Sequence, residues 1–209
     1  MSRKLKQCLE KIICEKAPGP SLTFTVFHVI RAMELIARKP VGRGKLAEEL
    51  KVGEGTVRTL IERLRSAGLI VTSKAGCTLT DKGRKLWENY KSIFKEKIEI
   101  GASELGIAKY NFAILVKNLG HKVKSGVEQR DAAVIVGAKG ATTLVMKEGR
   151  LLVPAVSEDL SRDYPKAANQ IFNLLKPEEN DAIIIASADD PSKAEYGVLA
   201  AAWTLADDC

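Results

Sequence analysis

The 209-residue chain has four cysteines, two histidines and only 5% aromatic residues. Cys8, Cys14, Cys77 and Cys209 form no C-x-x-C pair, and with only His28 and His121 beside them no tetrahedral zinc set can be written. Thiols scattered in this way read as those of a reduced, cytoplasmic protein. Neither histidine has a serine or cysteine placed to act as its nucleophile, so no catalytic set emerges, and neither metal nor cofactor is expected. No run approaches the ~18–20 uncharged apolar residues that a membrane span requires. Met1–Ile13 threads charges through its length and offers no small-residue cleavage site, so no cleaved leader is expected.

What is present is a globular mixture, 45% hydrophobic and 28% charged, long enough for one large domain or two small ones. Its 33 Lys+Arg and 26 Asp+Glu give +7 overall, unevenly spread. Residues 1–99 hold 21 basic and 11 acidic side chains, a net of +10, whereas residues 100–209 hold 12 and 15, a net of −3. A basic half joined to a mildly acidic one points to a polyanion partner for the first half and another task for the second.

Within the basic half the apolar period is helical. Leu5, Cys8, Leu9, Ile12 and Ile13 share one face of a helix over 4–14, which Ala17–Pro20 ends. Ser21 or Thr23 can cap a second helix over 23–38. A short helix follows over 44–50, then a tight turn through Val52 and Gly53. A longer helix over 54–67 turns Val57, Leu60, Ile61 and Leu64 inward, with Gly68 as its left-handed cap. The period then changes to two strand-like runs, 69–73 and 77–80, before a further helix opens near Asp81. That helix carries Leu86, Trp87, Tyr90, Ile93 and Phe94 on its apolar face.

Helix, short helix, turn, helix and hairpin form the order of a winged helix-turn-helix. The segment Gly42–Val71 followed by Ala75–Gly83 resembles the winged-helix domains of prokaryotic transcription regulators. The resemblance implies that helix 54–67 enters a major groove of double-stranded DNA and that hairpin 69–80 is the wing. The residues agree on physical grounds. Glu54, Thr56, Arg58, Thr59, Glu62 and Arg65 fall on the side opposite the anchoring residues. Arg58 and Thr59 occupy the early turns that meet base edges, where arginine can read guanine with two hydrogen bonds. Lys74 at the hairpin tip can reach a phosphate, and Arg43 and Lys45 flank a helix N-terminus suited to one. The same architecture also serves winged helices that bind protein or RNA and act as adaptors. Gly42–Ala47 fits the G-x-G-x-x-A dinucleotide fingerprint, but a helix rather than a buried strand precedes it, so the nucleotide reading fails.

The second half reads as an α+β domain over 98–209, against a first domain over 1–97. Strands are expected at 97–102 and 107–116, a helix at 127–137, a hairpin of 142–147 with 150–153, and a helix at 163–175. A continuous apolar strand at 182–186 and a final helix entered through Asp190-Pro191 complete the order ββαββαβα. This implies two layers, one sheet with helices mainly on one face. Segment 126–154 resembles a family of archaeal two-domain proteins, a winged helix followed by a small α+β domain; the resemblance brings no reaction, ligand or operator. Arg130 and Arg162, each beside an aspartate, can clamp an anionic effector with Thr142 and Thr143, or can form exposed ion pairs. Asp189-Asp190 reads as a helix cap, and Cys77 as an inert small apolar residue. The sequence therefore points to a regulator that binds double-stranded DNA through its first domain and an effector or a second copy through the other. Helices 4–14 and 81–97 are the expected elements of a homodimer, unless their apolar stripes are used inside one subunit.

Overall fold

The computed structural model describes residues 2–14 and 23–206, so the expected breaker Ala17–Pro20, the Ser21 cap and Cys209 lie outside the described residues. The chain divides into two units, Met1–Tyr90 and Lys91–Cys209.

The first unit contains α1 (Ser2–Cys14), α2 (Val26–Arg38), α3 (Arg43–Leu50), α4 (Glu54–Ser66), β1 (Ile70–Ser73), β2 (Gly76–Leu79) and the start of α5 (Asp81–Ile93). Leu5, Leu9 and Ile12 of α1 and Val29, Ile30, Met33 and Ile36 of α2 are buried. That spacing of three and four residues is the reason each segment is a helix with one inward stripe. The start of α2 corrects the expected caps. Thr25 is the N-cap, and the imidazole of His28 reaches back so that its Nδ1 accepts the Thr25 backbone N–H at 3.1 Å. The hydroxyl of Thr23 is instead bonded to that of Thr56 at 2.7 Å. Between α3 and α4 the left-handed residue is Lys51, at φ 53°, while Gly53 sits at φ −64° and caps α4. Val57, Leu60 and Leu64 anchor α4 with no exposure, whereas Ile61 is only half-buried. Gly68, at φ +70°, ends α4 as expected, donating to the Arg65 carbonyl while Leu69 donates to that of Leu64.

β1 and β2 pair antiparallel from Ile70–Leu79 to Ser73–Gly76. Val41 adds a single rung on the outer edge of β2 that the sequence does not announce. Its N–H donates to the Cys77 carbonyl at 3.2 Å, and the Cys77 N–H donates to the Val41 carbonyl at 2.8 Å. The hairpin is thereby tied to the residue that precedes α3.

The second unit continues with β3 (Ile98–Glu99), β4 (Tyr110–Val116), a 3-10 turn at Gly120–Lys122, α6 (Val127–Ile135), β5 (Gly140–Lys147) and β6 (Arg150–Leu152). It ends with α7 (Leu160–Asp163), α8 (Pro165–Leu175), β7 (Ala182–Ala188) and α9 (Pro191–Thr204). The helix expected over 163–175 is α8, which starts two residues later because Pro165 takes its first helical position, and a short helix that was not expected, α7, ends just before Tyr164. One five-stranded sheet runs β3-β4-β7-β5-β6 with every neighbour antiparallel.

The fold is α+β, but the expected two layers with helices mainly on one face are corrected to three. Every residue of the central strand β7 is buried. Ile183 and Ile185 join Leu115, Leu144 and Met146 in a core with Leu160 of α7 and Ala167, Ala168 and Ile171 of α8. On the other face Ala186 meets α9, where a Cβ added at Gly197 would lie 3.3 Å from the Ala186 Cβ. α6 packs beside α9 on that side, with Ala133 fully buried. A strand apolar at every position has two faces to remove from water, so helices cover both.

Candidate nucleic-acid interface

Burial of Val57, Leu60 and Leu64 leaves the other side of α4 to solvent. Glu54, Arg58, Glu62 and Arg65 are exposed there, whereas Thr56 and Thr59 are half-buried. Both threonine hydroxyls are also engaged, Thr56 with Thr23 and Thr59 with the Gly55 carbonyl at 3.3 Å. They are therefore less available than their place on the helix implies. Arg43 and Lys45, on the first turn of α3, are exposed, and so is Lys74 in the turn joining β1 to β2.

The cations are not bare. Arg43 meets Glu54 at 3.1 Å, which joins the first turns of α3 and α4. Arg58 meets Glu62 one turn along α4 at 3.2 Å. Lys45 meets Glu48 at 3.0 Å and Glu49 at 3.2 Å, and those carboxylates hold its ammonium above the ordinary lysine value. Pairs this exposed hold their partners weakly, so a stronger polyanion can displace the glutamates. Arg65 and Lys74 have no ion-pair partner among the described residues.

Several side chains that fix this surface carry no sequence signature of a role in it. Lys82 Nζ donates to the Ala67 carbonyl at the end of α4 at 2.7 Å, and the Thr80 hydroxyl donates to the Gly68 carbonyl at 2.7 Å. Together they lock the start of α5 to the end of α4. Arg63 donates to the carbonyls of Ile12 and Ile13 and lies over the Phe24 ring, so it caps α1 from α4. Arg65 faces outward as its place in the helix period implies, whereas nothing in the sequence marks Arg63 as the cap of α1.

The candidate effector residues do not converge. Arg130 is on α6 and Arg162 on α7, helices that pack on opposite faces of the sheet. Thr143 is buried and faces Gly126, while Thr142 points to the other face. Each arginine is engaged by its neighbour: Arg130 with Asp131 at 2.9 Å, and Arg162 with Asp163 at 2.9 Å. The Arg162 guanidinium, helped by the Ser157 hydroxyl at 2.7 Å, holds the Asp163 carboxyl below the ordinary aspartate value. Asp190 caps α9 by accepting from the Ser192 and Lys193 backbone N–H groups, and Asp189 pairs with Lys139 at 2.6 Å. Cys77 is buried, and burial pushes its thiol up. No group of three or more His, Cys, Asp or Glu side chains among the described residues could hold a metal ion. No described helix is long and apolar enough to cross a membrane. The apolar stripes of α1 and α5 are spent within the chain: Leu5, Leu9, Ile12, Tyr90 and Ile93 are all buried, and Trp87 stacks on Tyr90 at 4.9 Å.

Residues 27–85 match the PH0730-like N-terminal domain, and residues 107–205 match a domain of unknown function, DUF4443. No curated protein matches the chain. Among solved structures, it is similar to the hypothetical protein PH0730 from Pyrococcus horikoshii OT3, with 33% identity and a TM-score of 0.69 over 87% of this chain and 92% of that one. The chain belongs to this PH0730-like family, in which a PH0730-like N-terminal domain precedes a DUF4443 domain.

Proposed function

We propose that the chain is a DNA-binding transcriptional regulator whose first unit is a winged helix-turn-helix. In this reading α3 and α4 are the helix pair, α4 is the recognition helix, and β1–β2 is the wing. The observation that carries it is the two-sided character of α4: Val57, Leu60 and Leu64 are withdrawn from solvent while Glu54, Arg58, Glu62 and Arg65 stand exposed on the same 13-residue helix. The net charge of +10 over residues 1–99 supports the same reading.

In the groove, Arg58 reads a base edge, with Glu62 released from it or accepting from a cytosine amino group. Arg43, Lys45, Arg65 and Lys74 neutralise phosphates, the first two beside the N-terminus of α3. The second unit serves association of two copies, which sets the spacing of half-sites, or the binding of an effector. A protein-docking role is the competing reading. It is favoured by one observation: Arg43, Lys45 and Arg58 are each already paired with a glutamate.

The two readings separate in a titration of labelled random duplex DNA followed by anisotropy, with wild type and an Arg58→Ala/Lys74→Ala variant. A DNA reader binds the duplex and loses affinity in the variant. Equal, weak binding by both proteins sinks the proposal.

A further inference from the structure

We propose that Arg58 and Glu62 act as one unit that reads two adjoining G·C base pairs in the major groove, Arg58 meeting a guanine and Glu62 the amino group of a cytosine. This rests on the DNA-binding reading given above and names the base sequence that the same surface prefers.

The period of α4 limits which side chains can read bases. At 3.6 residues per turn, the direction opposite the buried stripe is taken by Gly55, Thr59, Glu62 and Ser66, with Arg58 beside them. Gly55 has no side chain, and nothing lies within 4 Å of where its Cβ would be, so the helix can approach a groove closely there. The Thr59 hydroxyl donates to the Gly55 carbonyl, and Ser66 is the last residue of the helix. Arg58 and Glu62, with side chains 72% and 52% exposed, are left as the long polar side chains of the outward face.

The atoms that join them decide what each can do. Arg58 donates through Nε to Glu62 Oε1 at 3.2 Å. Its two Nη groups and Glu62 Oε2 have no partner among the described residues. The carboxylate therefore holds the guanidinium without occupying the Nη fork, the end that matches guanine O6 and N7. An arginine held in this way loses less side-chain freedom on binding than a free one. Glu62 stays on Nε while its other oxygen accepts from a base. The major groove offers that oxygen two donors, cytosine N4 and adenine N6. Adenine carries the N7 acceptor beside its amino group, which sets lone pair against lone pair; cytosine has no acceptor there. Two groups in contact at 3.2 Å serve base pairs about 3.4 Å apart, that is, adjoining ones. Where no amino group is presented, Oε2 is left unmet among phosphates, so the glutamate penalises wrong sequences as the arginine favours right ones.

The test is selection of duplexes bound by the full chain at one fixed salt concentration, from a pool randomised over about 20 base pairs, two helical turns. Wild type, Arg58→Ala and Glu62→Gln are compared. Wild type is expected to enrich a G·C pair beside a second one. Exchanging the guanine for adenine in the enriched site should lower affinity about 5- to 150-fold. Arg58→Ala should lose the guanine preference. Glu62→Gln should change the neighbouring preference from cytosine to adenine, whose N6 and N7 fit an amide, while binding random duplex more tightly than wild type. A side chain that only stabilised the helix would move neither preference. Retention of duplex without enriched G·C pairs, or preferences indifferent to Glu62→Gln, overturns the proposal and leaves DNA binding standing. A chain that retains no duplex overturns both.

Discussion

Gly76→Ala removes two conditions on which the hairpin depends. Gly76 sits at φ +119°, where an L side chain collides with its own backbone. A Cβ there would also lie 2.6 Å from the carbonyl carbon of Val41 and 2.7 Å from its oxygen. The first condition costs about 1–3 kcal/mol. The second forces backbone apart and adds about 1–3 kcal/mol. Together they remove about 2–6 kcal/mol, and at ~4–8 °C per kcal/mol for a unit of this size the melting transition should fall by at least about 8 °C. The loss should be local in origin. The mutual hydrogen bonds of Val41 and Cys77 break first, so their amides should exchange faster than those of Leu60 or Leu64. Calorimetry of the full chain with hydrogen exchange at these amides reads both effects. Gly55→Ala is the control: nothing lies within 4 Å of the added Cβ inside a helix, so it should stabilise by up to about 1 kcal/mol. A Gly76→Ala protein within about 0.5 kcal/mol of wild type would refute the tight union of hairpin and Val41.

Leu64→Ala should cost about 2–5 kcal/mol in denaturant unfolding, because its side chain is fully buried where α4 packs on its unit. His28 gives a pH signature. Burial lowers its folded pKa below the ordinary 6.5, so the unfolded chain binds the extra proton first. Its contribution to stability is then complete above pH 6.5, declines as pH falls below that value, and is lost through the lowered folded pKa. His28→Gln should flatten that part of the stability profile measured by urea titration. Cys77 should resist iodoacetamide in the native protein and react only as fast as the chain opens, which peptide mass spectrometry reads directly. Glu62→Gln should tighten duplex binding severalfold, since it removes a negative charge and frees Arg58 from a 3.2 Å pair.

Much of the first unit was legible because its signals are local. The stripe Val57-Leu60-Leu64, the Gly68 cap and the change of period at Leu69 are each read from neighbours in sequence. The Val41 rung was not, because one residue between Pro40 and Gly42 has no period, and its partner lies 36 positions away at Cys77. The start of α2 was misplaced for a related reason: His28 acts as an acceptor at a helix start, where glutamate or glutamine is the usual signal. In the second unit the unbroken apolar run of β7 itself implies that helices cover both faces of the sheet, whereas the order ββαββαβα by itself implies only one covered face. The candidate interface divides in the same manner. Exposure of Arg58, Arg65 and Lys74 follows from helix period and turn position. The Lys45 pairs with Glu48 and Glu49, at i,i+3 and i,i+4, follow from the same period, whereas the Arg43–Glu54 pair depends on how α3 and α4 meet, which no single-sequence period encodes.

The central claim is that the first unit neutralises DNA phosphates with a defined set of cations, and the salt dependence of duplex binding tests it most directly. Each phosphate contact contributes about 0.9 to the log–log slope. Contacts from Arg43, Lys45, Arg65 and Lys74 give a slope of about −3.6, a loss of affinity of about one hundredfold between about 50 and 200 mM salt. A slope near that value, reduced by about 1 in Lys74→Ala, is the expected result. A slope near zero, or one that Lys74→Ala leaves unchanged, would contradict the account.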